Sequence, residues 1–366
     1  MTLSREGGTE LLLPASTPGP GPRARAPIFY NPAMAGDRDL AVAFAAAWAG
    51  TDRGYRSGWE VTAATGVRGL RLLNESGAFD RFLLTEANPE AARVLVENAR
   101  RFEGAVAAGA DGKCRPEGLA FDYVDIDPYG TPAPFVPTAL SALRPGGVLA
   151  VTATDMMVLA GAQPAACARR YGASPIRGRL GPEGGLRILL AYLAREARGV
   201  GRAVRPLLAY TRDHHVRAYV EVRVSESASA ADPVGTIDPS TWTGPSVGEG
   251  GPYGPLWLGP VFDPGVVSTL RVPAAAARPT ETAHFVAKLQ AEAGVDQPFY
   301  YEANRLAAQL RLPYPPALSA LLDGLRANGF RAARTHARPE GFRTDAPRTQ
   351  VEALARTIAG RAPGPA

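Results

Sequence analysis

Phe121-Asp122-Tyr123-Val124-Asp125-Ile126-Asp127-Pro128-Tyr129-Gly130 is a strand-like run that ends in a turn, and the character of that ending decides how the chain is read. The turn has two readings. Asp, Pro and Gly at successive positions spell a type I turn in which the carboxylate caps its own backbone. The same residues also place a carboxylate, a proline carbonyl and an aromatic ring together, which gives two acceptors for the hydrogens of a planar exocyclic amine and a face for its base to stack on. In open α/β sheets ligands bind at the carboxyl ends of strands, and this turn falls there.

Upstream and downstream of that run, strand and helix patterns alternate. Trp59 to Ala63 predicts a strand, Thr65-Gly66-Val67-Arg68-Gly69 a tight loop, and Leu70 to Asn74 the start of a helix. Arg81 to Glu86 predicts the next strand, and Asn88-Pro89 has N-cap and first-turn chemistry for a helix running to about Phe102. Residues 121–127 and Val148 to Thr154 are two more strands, with Arg144-Pro-Gly-Gly147 turning into the second. A Leu- and Ala-rich helix over 183–197 precedes Arg205–Thr211 and Val216–Arg223, which read as an antiparallel hairpin. Parallel βα units closed by a terminal hairpin predict an α/β Rossmann-like sheet of the class I methyltransferase type.

Beyond the hairpin, residues 225–253 are dominated by Ser, Gly, Pro and Ala and predict a linker; residues 1–27 predict an N-terminal lead-in, with a proline- and glycine-rich loop from 14. An Arg38–Trp48 helix begins the sheet domain, expected over 28–224. Helical patterns near 278–294, 299–311 and 315–328, followed by an Arg/Gly/Pro-rich segment at 331–347, predict a smaller α+β C-terminal domain over 254–348 and a tail over 349–366.

A chain of 366 residues with 46% hydrophobic content can bury two cores. Its net charge is +5, and arginine carries nearly all the base, Lys113 and Lys288 being the only lysines. From Arg169 to Arg205 the arginines are opposed only by Glu183 and Glu196, and a second basic stretch runs from Arg326 to Arg348. Two such clusters suit a long polyanion better than a small anion. Cys114 and Cys167 cannot by themselves build a disulfide framework or a structural zinc site. The longest apolar stretch, Leu40 to Ala49, is too short to span a bilayer and no leader opens the chain, so a cytoplasmic protein without membrane contact is expected.

The Thr65–Gly69 loop lacks the full spacing of a dinucleotide fingerprint and could serve only as a tight turn. Glu86, about 20 residues on at the end of the next strand, stands where such folds place an acid on ribose hydroxyls. Asp111 could accept from an adenine amine or sit in a surface turn. His214, His215 and His336 have no nearby cysteines or spaced acids, and no metal role is expected for them.

Six blocks, Phe29–Asp39, Ala64–Arg71, Asp125–Pro132, Val151–Asp155, Gly254–Gly259 and Arg334–Pro347, resemble in order the tRNA (guanine-26 N2)-dimethyltransferases, over about residues 6 to 348. The resemblance implies a class I methyltransferase domain using S-adenosylmethionine, and a C-terminal domain that helps grip tRNA. By position it implies cofactor contacts at Arg38, Thr65, Gly66, Arg68, Glu86, Asp111 and Gly112. Asp127 is implied as the catalytic carboxylate with the Pro128 carbonyl beside it, while Phe29 and Tyr129 sandwich the guanine. Arg334, His336, Arg338 and Arg343 are the implied tRNA contacts. Many relatives carry four cysteines as a zinc site between the hairpin and the Gly254–Gly259 block; residues 225–253 here contain none, so no zinc is expected. No obligate protein partner is inferred. The competing readings are another exocyclic-amine methyltransferase of the N6-adenine type, and a catalytically silent tRNA-binding protein on the same fold.

Overall fold

A computed structural model describes residues 1–14, 28–50, 56–224, 232–248, 250–295 and 297–361. The chain opens with β1 (Thr2–Glu6) and β2 (Thr9–Leu13), paired antiparallel across Gly7-Gly8, with Gly7 at φ +63°. A glycine pair between two strand-forming runs is a hairpin signal. Helix α1 (Ala35–Ala49) follows and is buried along most of its length, through Leu40, Phe44 and Trp48. The alternating region then runs β3 (Ser57–Glu60), α2 (Val67–Glu75), β4 (Arg81–Glu86), α3 (Pro89–Ala99), β5 (Ala105–Gly109), β6 (Phe121–Ile126), α4 (Val136–Ala142) and β7 (Leu143–Ala153). Helix α3 starts where its sequence dictates: the Asn88 side chain accepts from the Glu90 and Ala91 N–H groups, and Pro89 fills the first turn. Next come α5 (Met156–Leu159), α6 (Pro164–Tyr171), α7 (Gly181–Gly199) and the long hairpin β8 (Arg202–Arg212) and β9 (His215–Val224).

The seven strands form one sheet in the order β5-β4-β3-β6-β7-β9-β8. The first five are parallel, and β9 returns antiparallel to β7 with β8 at the edge. The chain reverses its direction of strand addition between β3 and β6, and ligands in such sheets bind at the carboxyl ends beside that reversal. This is the class I methyltransferase type of sheet expected from the sequence.

Several sequence boundaries need correction. Residues 2–13 are not a lead-in but a hairpin docked on the sheet domain: Asn98 accepts from Leu12 N–H at 2.7 Å and donates to the carbonyls of Leu12 and Thr65. The loop expected from residue 14 lies, from 15 to 27, outside the described residues. The 225–253 segment is no plain linker, although 225–231 and 249 fall outside the described residues. Its β10 (Val234–Ile237) pairs with β11 (Tyr253–Trp257), and Ile237 and Val247 are buried. After β11 the chain lies along the sheet edge, where Ala209 N–H donates to Val261 and Asp263 N–H to Leu207.

Helices α8 (Pro264–Thr269) and α9 (Pro279–Glu292) then pack on the first core, which extends to Phe299 and Tyr300. The second core begins only at β12 (Tyr301–Glu302). It takes in α10 (Ala303–Leu310), α11 (Leu318–Ala327), β13 (Ala332–Arg334), β14 (Gly341–Thr344) and α12 (Arg348–Arg361). The division by core therefore falls near residue 300 and not 254. The expected tail is α12, whose Val351 and Ala355 are fully buried in the second core; 362–366 lie outside the described residues.

Buried ion networks tie these parts together. Glu6 accepts from Arg38 (2.5 and 2.6 Å), Arg71 (3.0 Å) and the Tyr30 hydroxyl (2.9 Å). Arg71 also reaches Asp39 at 2.6 Å, and Asp39 accepts from the Ala277 and Arg278 N–H groups and the Thr282 hydroxyl at the start of α9. At the other end of α9, Glu292 accepts from Thr335, from His336 N–H and Nδ1, and from Arg343, which bridges on to Glu183 of α7. His336 and Arg343 are thus not available as the tRNA contacts the sequence suggested: both side chains are buried in this clasp.

Burial alone would raise the Glu6, Glu183 and Glu292 carboxyls, but Arg38 at Glu6, Arg343 with Arg187 at Glu183, and hydrogen bonds from His336 with the Arg343 charge at Glu292 hold them below the usual carboxylate range. A carboxyl lowered on folding stabilises above its unfolded value, 4.5 for Glu, and that stability is lost as pH falls toward the folded value. The thermal midpoint is expected to fall as pH drops below about 4.5. Glu292→Ala should cost about 3 kcal/mol or more at neutral pH, because it leaves Arg343 buried and short of a partner. Thermal unfolding monitored by circular dichroism from pH 7 to pH 3 checks both; a flat midpoint would refute the assignment.

Candidate active site at the carboxyl end of the sheet

The loop leaving β3 is held by the neighbouring strands. Val61 N–H donates to Asp125 and Ala63 N–H to Thr85, and the chain then turns sharply through Ala64 (φ +47°) and Gly66 (φ +81°) into α2. Glu86, at the end of β4, supports that turn directly. One of its oxygens accepts from Ala64 N–H and the other from Asn88 N–H, both at 2.8 Å. Each carboxylate oxygen retains a lone pair for a further donor. Across the cleft, Gly112 is buried against the end of β3, where a Cβ would lie 2.4 Å from the Val61 carbonyl oxygen, so only glycine permits this approach. Asp111 beside it is exposed and accepts from Lys113 N–H at 3.0 Å, the surface-turn alternative of the sequence reading.

The Asp127-Pro-Tyr-Gly turn follows β6 as expected. Asp127 N–H donates to Thr62, and Gly130 exchanges bonds with Thr154 at the end of β7: its N–H donates to Thr154 Oγ1 at 2.7 Å, and Thr154 N–H donates back at 3.0 Å. Gly130 takes φ +96°, which a side chain would resist. Arg68, from the first turn of α2, donates to Asp127 at 2.6 Å; the Asp127 side chain remains 24% exposed, and that of Arg68 is buried. Phe29 (48% exposed) and Tyr129 (60%) are the two aromatic side chains left largely in solvent among the described residues. Exposed aromatic faces are what a stacking partner requires.

Beneath the turn lies a second layer of charge. Arg217 of β9 donates to both oxygens of Asp125 (2.6 and 2.9 Å) and to Thr152, and Tyr123 donates to the same carboxylate. Glu60, the register partner of Asp125 on β3, accepts from Gly69 N–H at 3.0 Å. Burial, reinforced by the Asp125 charge, pushes its carboxyl well above the usual range. Burial would raise Asp127 likewise, but the Arg68 and Arg217 guanidinium groups overcome it and hold this carboxyl well below the ordinary range. Asp127 is therefore an anion at physiological pH, built to accept hydrogen bonds.

The buried Arg38 guanidinium is engaged by Glu6 and by the Asn31 carbonyl. Of the C-terminal candidates, Arg334 is exposed and Arg338 half-buried. Of the first arginine cluster Arg187 is buried, bonded to Glu183 and the Trp257 carbonyl; half-buried Arg205 bonds Glu221 and Asp263, and exposed Arg170, Arg179 and Arg198 pair with Asp155, Glu302 and Asp232. Arg169 and Arg177 remain exposed. The sequence reading missed Glu6, Glu60 and Arg217. Only Glu6 left a local signal, its place beside the Gly7-Gly8 turn. Among the described residues no three His, Cys, Asp or Glu side chains converge as a metal site, and no helix is long and apolar enough to cross a membrane.

The chain matches the family model described as N2,N2-dimethylguanosine tRNA methyltransferase over residues 21–237 and 247–356. It belongs to that family. The tRNA (guanine(26)-N(2))-dimethyltransferase of Thermococcus kodakarensis is 35% identical over 363 residues, covering 88% of this chain and 91% of its own. The enzyme of the same name from Pyrobaculum arsenaticum is 33% identical over 379 residues, covering 98% and 99%. The structure of Trm1 from Pyrococcus horikoshii with S-adenosyl-L-methionine superposes with a TM-score of 0.83 at 28% identity, covering 98% of this chain and 100% of that one. For this dimethyltransferase family member, the fold and the sequence thus agree over both cores.

A titration of the Asp127 carboxyl by carbon-13 NMR should find it ionised at and below 3.8, its ordinary value. In Arg68→Met the midpoint should move upward, since burial then acts with less opposition. A midpoint unmoved by that substitution would show that Arg68 does not control the charge.

Proposed function

We propose that the protein is an S-adenosylmethionine-dependent methyltransferase that acts on the exocyclic N2 of a guanine in tRNA, at position 26, giving N2-methyl- and N2,N2-dimethylguanosine. The observation that carries this reading is the Asp127-Pro-Tyr-Gly turn: an arginine-fixed carboxylate and a carbonyl at the carboxyl end of the switch-point strand, beside a solvent-facing aromatic ring. The relatives carry the same activity in their names.

The residues present fit the methyl donor. Thr65 Oγ1 and Arg68 Nε and Nη1 are buried without a protein hydrogen-bond partner, and Gly112 lets its loop pack directly against the end of β3. We assign Glu86 to the ribose hydroxyls, Thr65, Gly66 and Arg68 to the remainder of the cofactor cleft, and Asp111 with Gly112 to the adenine side. Arg38 serves there by packing, since Glu6 already holds its charge. When bound, S-adenosylmethionine supplies an electrophilic methyl group.

Guanine N2 is a weak nucleophile because its lone pair is delocalised into the ring. Asp127 and the Pro128 carbonyl accept its hydrogens and bias the nitrogen toward tetrahedral geometry, with the lone pair directed at the incoming carbon. Transfer of the methyl would break its carbon–sulfur bond, the sulfur keeping the electron pair as a neutral thioether, and the methylated amine would be positively charged and strongly acidic, so even an Asp127 of lowered basicity could take the proton. Phe29 and Tyr129 stack on the base. A guanine in the tRNA core must leave its stack to reach them, which costs a few kcal/mol; phosphate contacts from Arg334 and Arg338, and from exposed Arg169 and Arg177, offset that cost.

Incubating an unmodified tRNA transcript with the protein and labelled cofactor should yield N2-methyl- and N2,N2-dimethylguanosine by nucleoside mass spectrometry. Labelled N6-methyladenosine instead would move the assignment to the other amine class, and no label to a silent binder. Asp127→Ala should slow single-turnover transfer by about 10² to 10⁴ while cofactor affinity holds; near-normal transfer excludes the role. Glu86→Ala should weaken cofactor binding by about ten-fold or more, read by calorimetry. Activity should survive a strong chelator, because Cys114 is exposed, Cys167 buried, and residues 225–253 supply no thiol. About one zinc per chain by elemental analysis would overturn that.

A further inference from the structure

The block Val151-Thr-Ala-Thr-Asp155 has no part in the chemistry above beyond Thr154, yet its acid is nearly buried next to the target-base turn. Asp155 follows β7, the strand beside β6, and its Oδ1 accepts from the Tyr171 hydroxyl at 2.8 Å. Tyr171, wholly buried at the end of α6, lies 2.7 Å from the hydroxyl of Thr131, the residue after Tyr129-Gly130. The direction of the chain follows from its end. An ionised carboxylate only accepts, so Tyr171 gives its one hydrogen to Asp155 and must accept from Thr131. Thr131 Oγ1 in turn accepts from Ala133 N–H at 3.3 Å, and Arg170 donates to the other oxygen of Asp155 at 3.1 Å.

The chain has a mechanical sense. Gly130 sits at φ +96° with no side chain to restrain it, and nothing lies within 4 Å of where a Cβ would be. The Tyr129 ring projects into solvent from this pivot. Two tethers hold the pivot: Thr154, bonded to Gly130 in both directions, and the Thr131 hydroxyl, bonded to Tyr171. We propose that Tyr171 and Asp155 are positioning residues for the methyl-transfer reaction: through Thr131 they fix the orientation of the Pro128–Tyr129 platform against which the target guanine is held. The proposal rests on the guanine-N2 reading of the same site. None of these hydrogen bonds involves Thr65, Arg68, Glu86 or Gly112, so their loss separates capture and alignment of the base from cofactor binding.

The test uses the full-length protein with tRNA transcript and S-adenosylmethionine. Tyr171→Phe keeps the ring and its edge-on packing against Tyr192 and removes only the hydroxyl; Thr131→Val removes the other end. Each should lower single-turnover transfer by about ten-fold, with the cofactor dissociation constant within about two-fold of wild type and Thr131→Ser restoring the rate. The double variant should be no slower than either single one, since both cut the same chain. Additive losses, a parallel loss of cofactor affinity, or unchanged rates in both singles would overturn the proposal. If the wild type itself fails to methylate guanine N2, the underlying reading falls first, and the same assay distinguishes the two failures.

Discussion

Everything at the catalytic end of the sheet depends on two guanidinium groups held out of water under the central strands. Arg68 and Arg217 are buried, and a buried cation costs several kcal/mol unless an anion faces it at close range. Asp127 and Asp125 supply those anions at 2.6 Å, while burial and the Asp125 charge push Glu60, the third carboxyl in the cluster, toward its neutral form. The arrangement is charge-balanced only with all parts present. It also explains why the terminal hairpin is more than an edge: β9 delivers Arg217, and without it Asp125 would be an uncompensated charge two residues from Asp127.

A similar balance joins the two cores. Asp39 at one end of α9 and Glu292 at the other turn that helix into a strut between α1 and the C-terminal strands. Arg343 extends the strut to Glu183 on α7, so the family's C-terminal block is linked by charge to the helix under the sheet. The second core is thereby set relative to the Asp127 turn by buried contacts rather than by a tether.

The sheet was legible from sequence because its signals are local. Alternating strands and helices, the Asn88-Pro89 cap and the paired runs around Asp213-His214 each sit within a few residues of what they specify. The turn at Asp127 was legible for the same reason. What escaped was long-range pairing. An arginine in a Pro- and Gly-rich stretch reads as a phosphate contact, and nothing within ten residues of Arg343 reveals that its partners are Glu183 and Glu292. Glu6 lay in a segment whose Pro/Gly-rich sequel suggested a lead-in, while its partners Arg38 and Arg71 are 32 and 65 residues away. The 232–248 segment is poor in apolar residues, and its few, such as Ile237 and Val247, are buried by a strand that arrives only at Tyr253.

The reach of these pairs bears on how the molecule is made. A chain leaves the ribosome from its first residue, and domains ordinarily close as they emerge. Here the β1–β2 hairpin is synthesised well before its anchor, since Asn98 appears 86 residues after Leu12. Asp39 must wait for Ala277, Arg278 and Thr282, some 240 residues later, and Glu183 waits 160 residues for Arg343. Until then these acids are held in a half-built protein with their charges partly unanswered. Final consolidation of the sheet half is therefore deferred until Arg343 has been made, so that a nascent chain lacking its second core is also one whose first core is not yet fully braced.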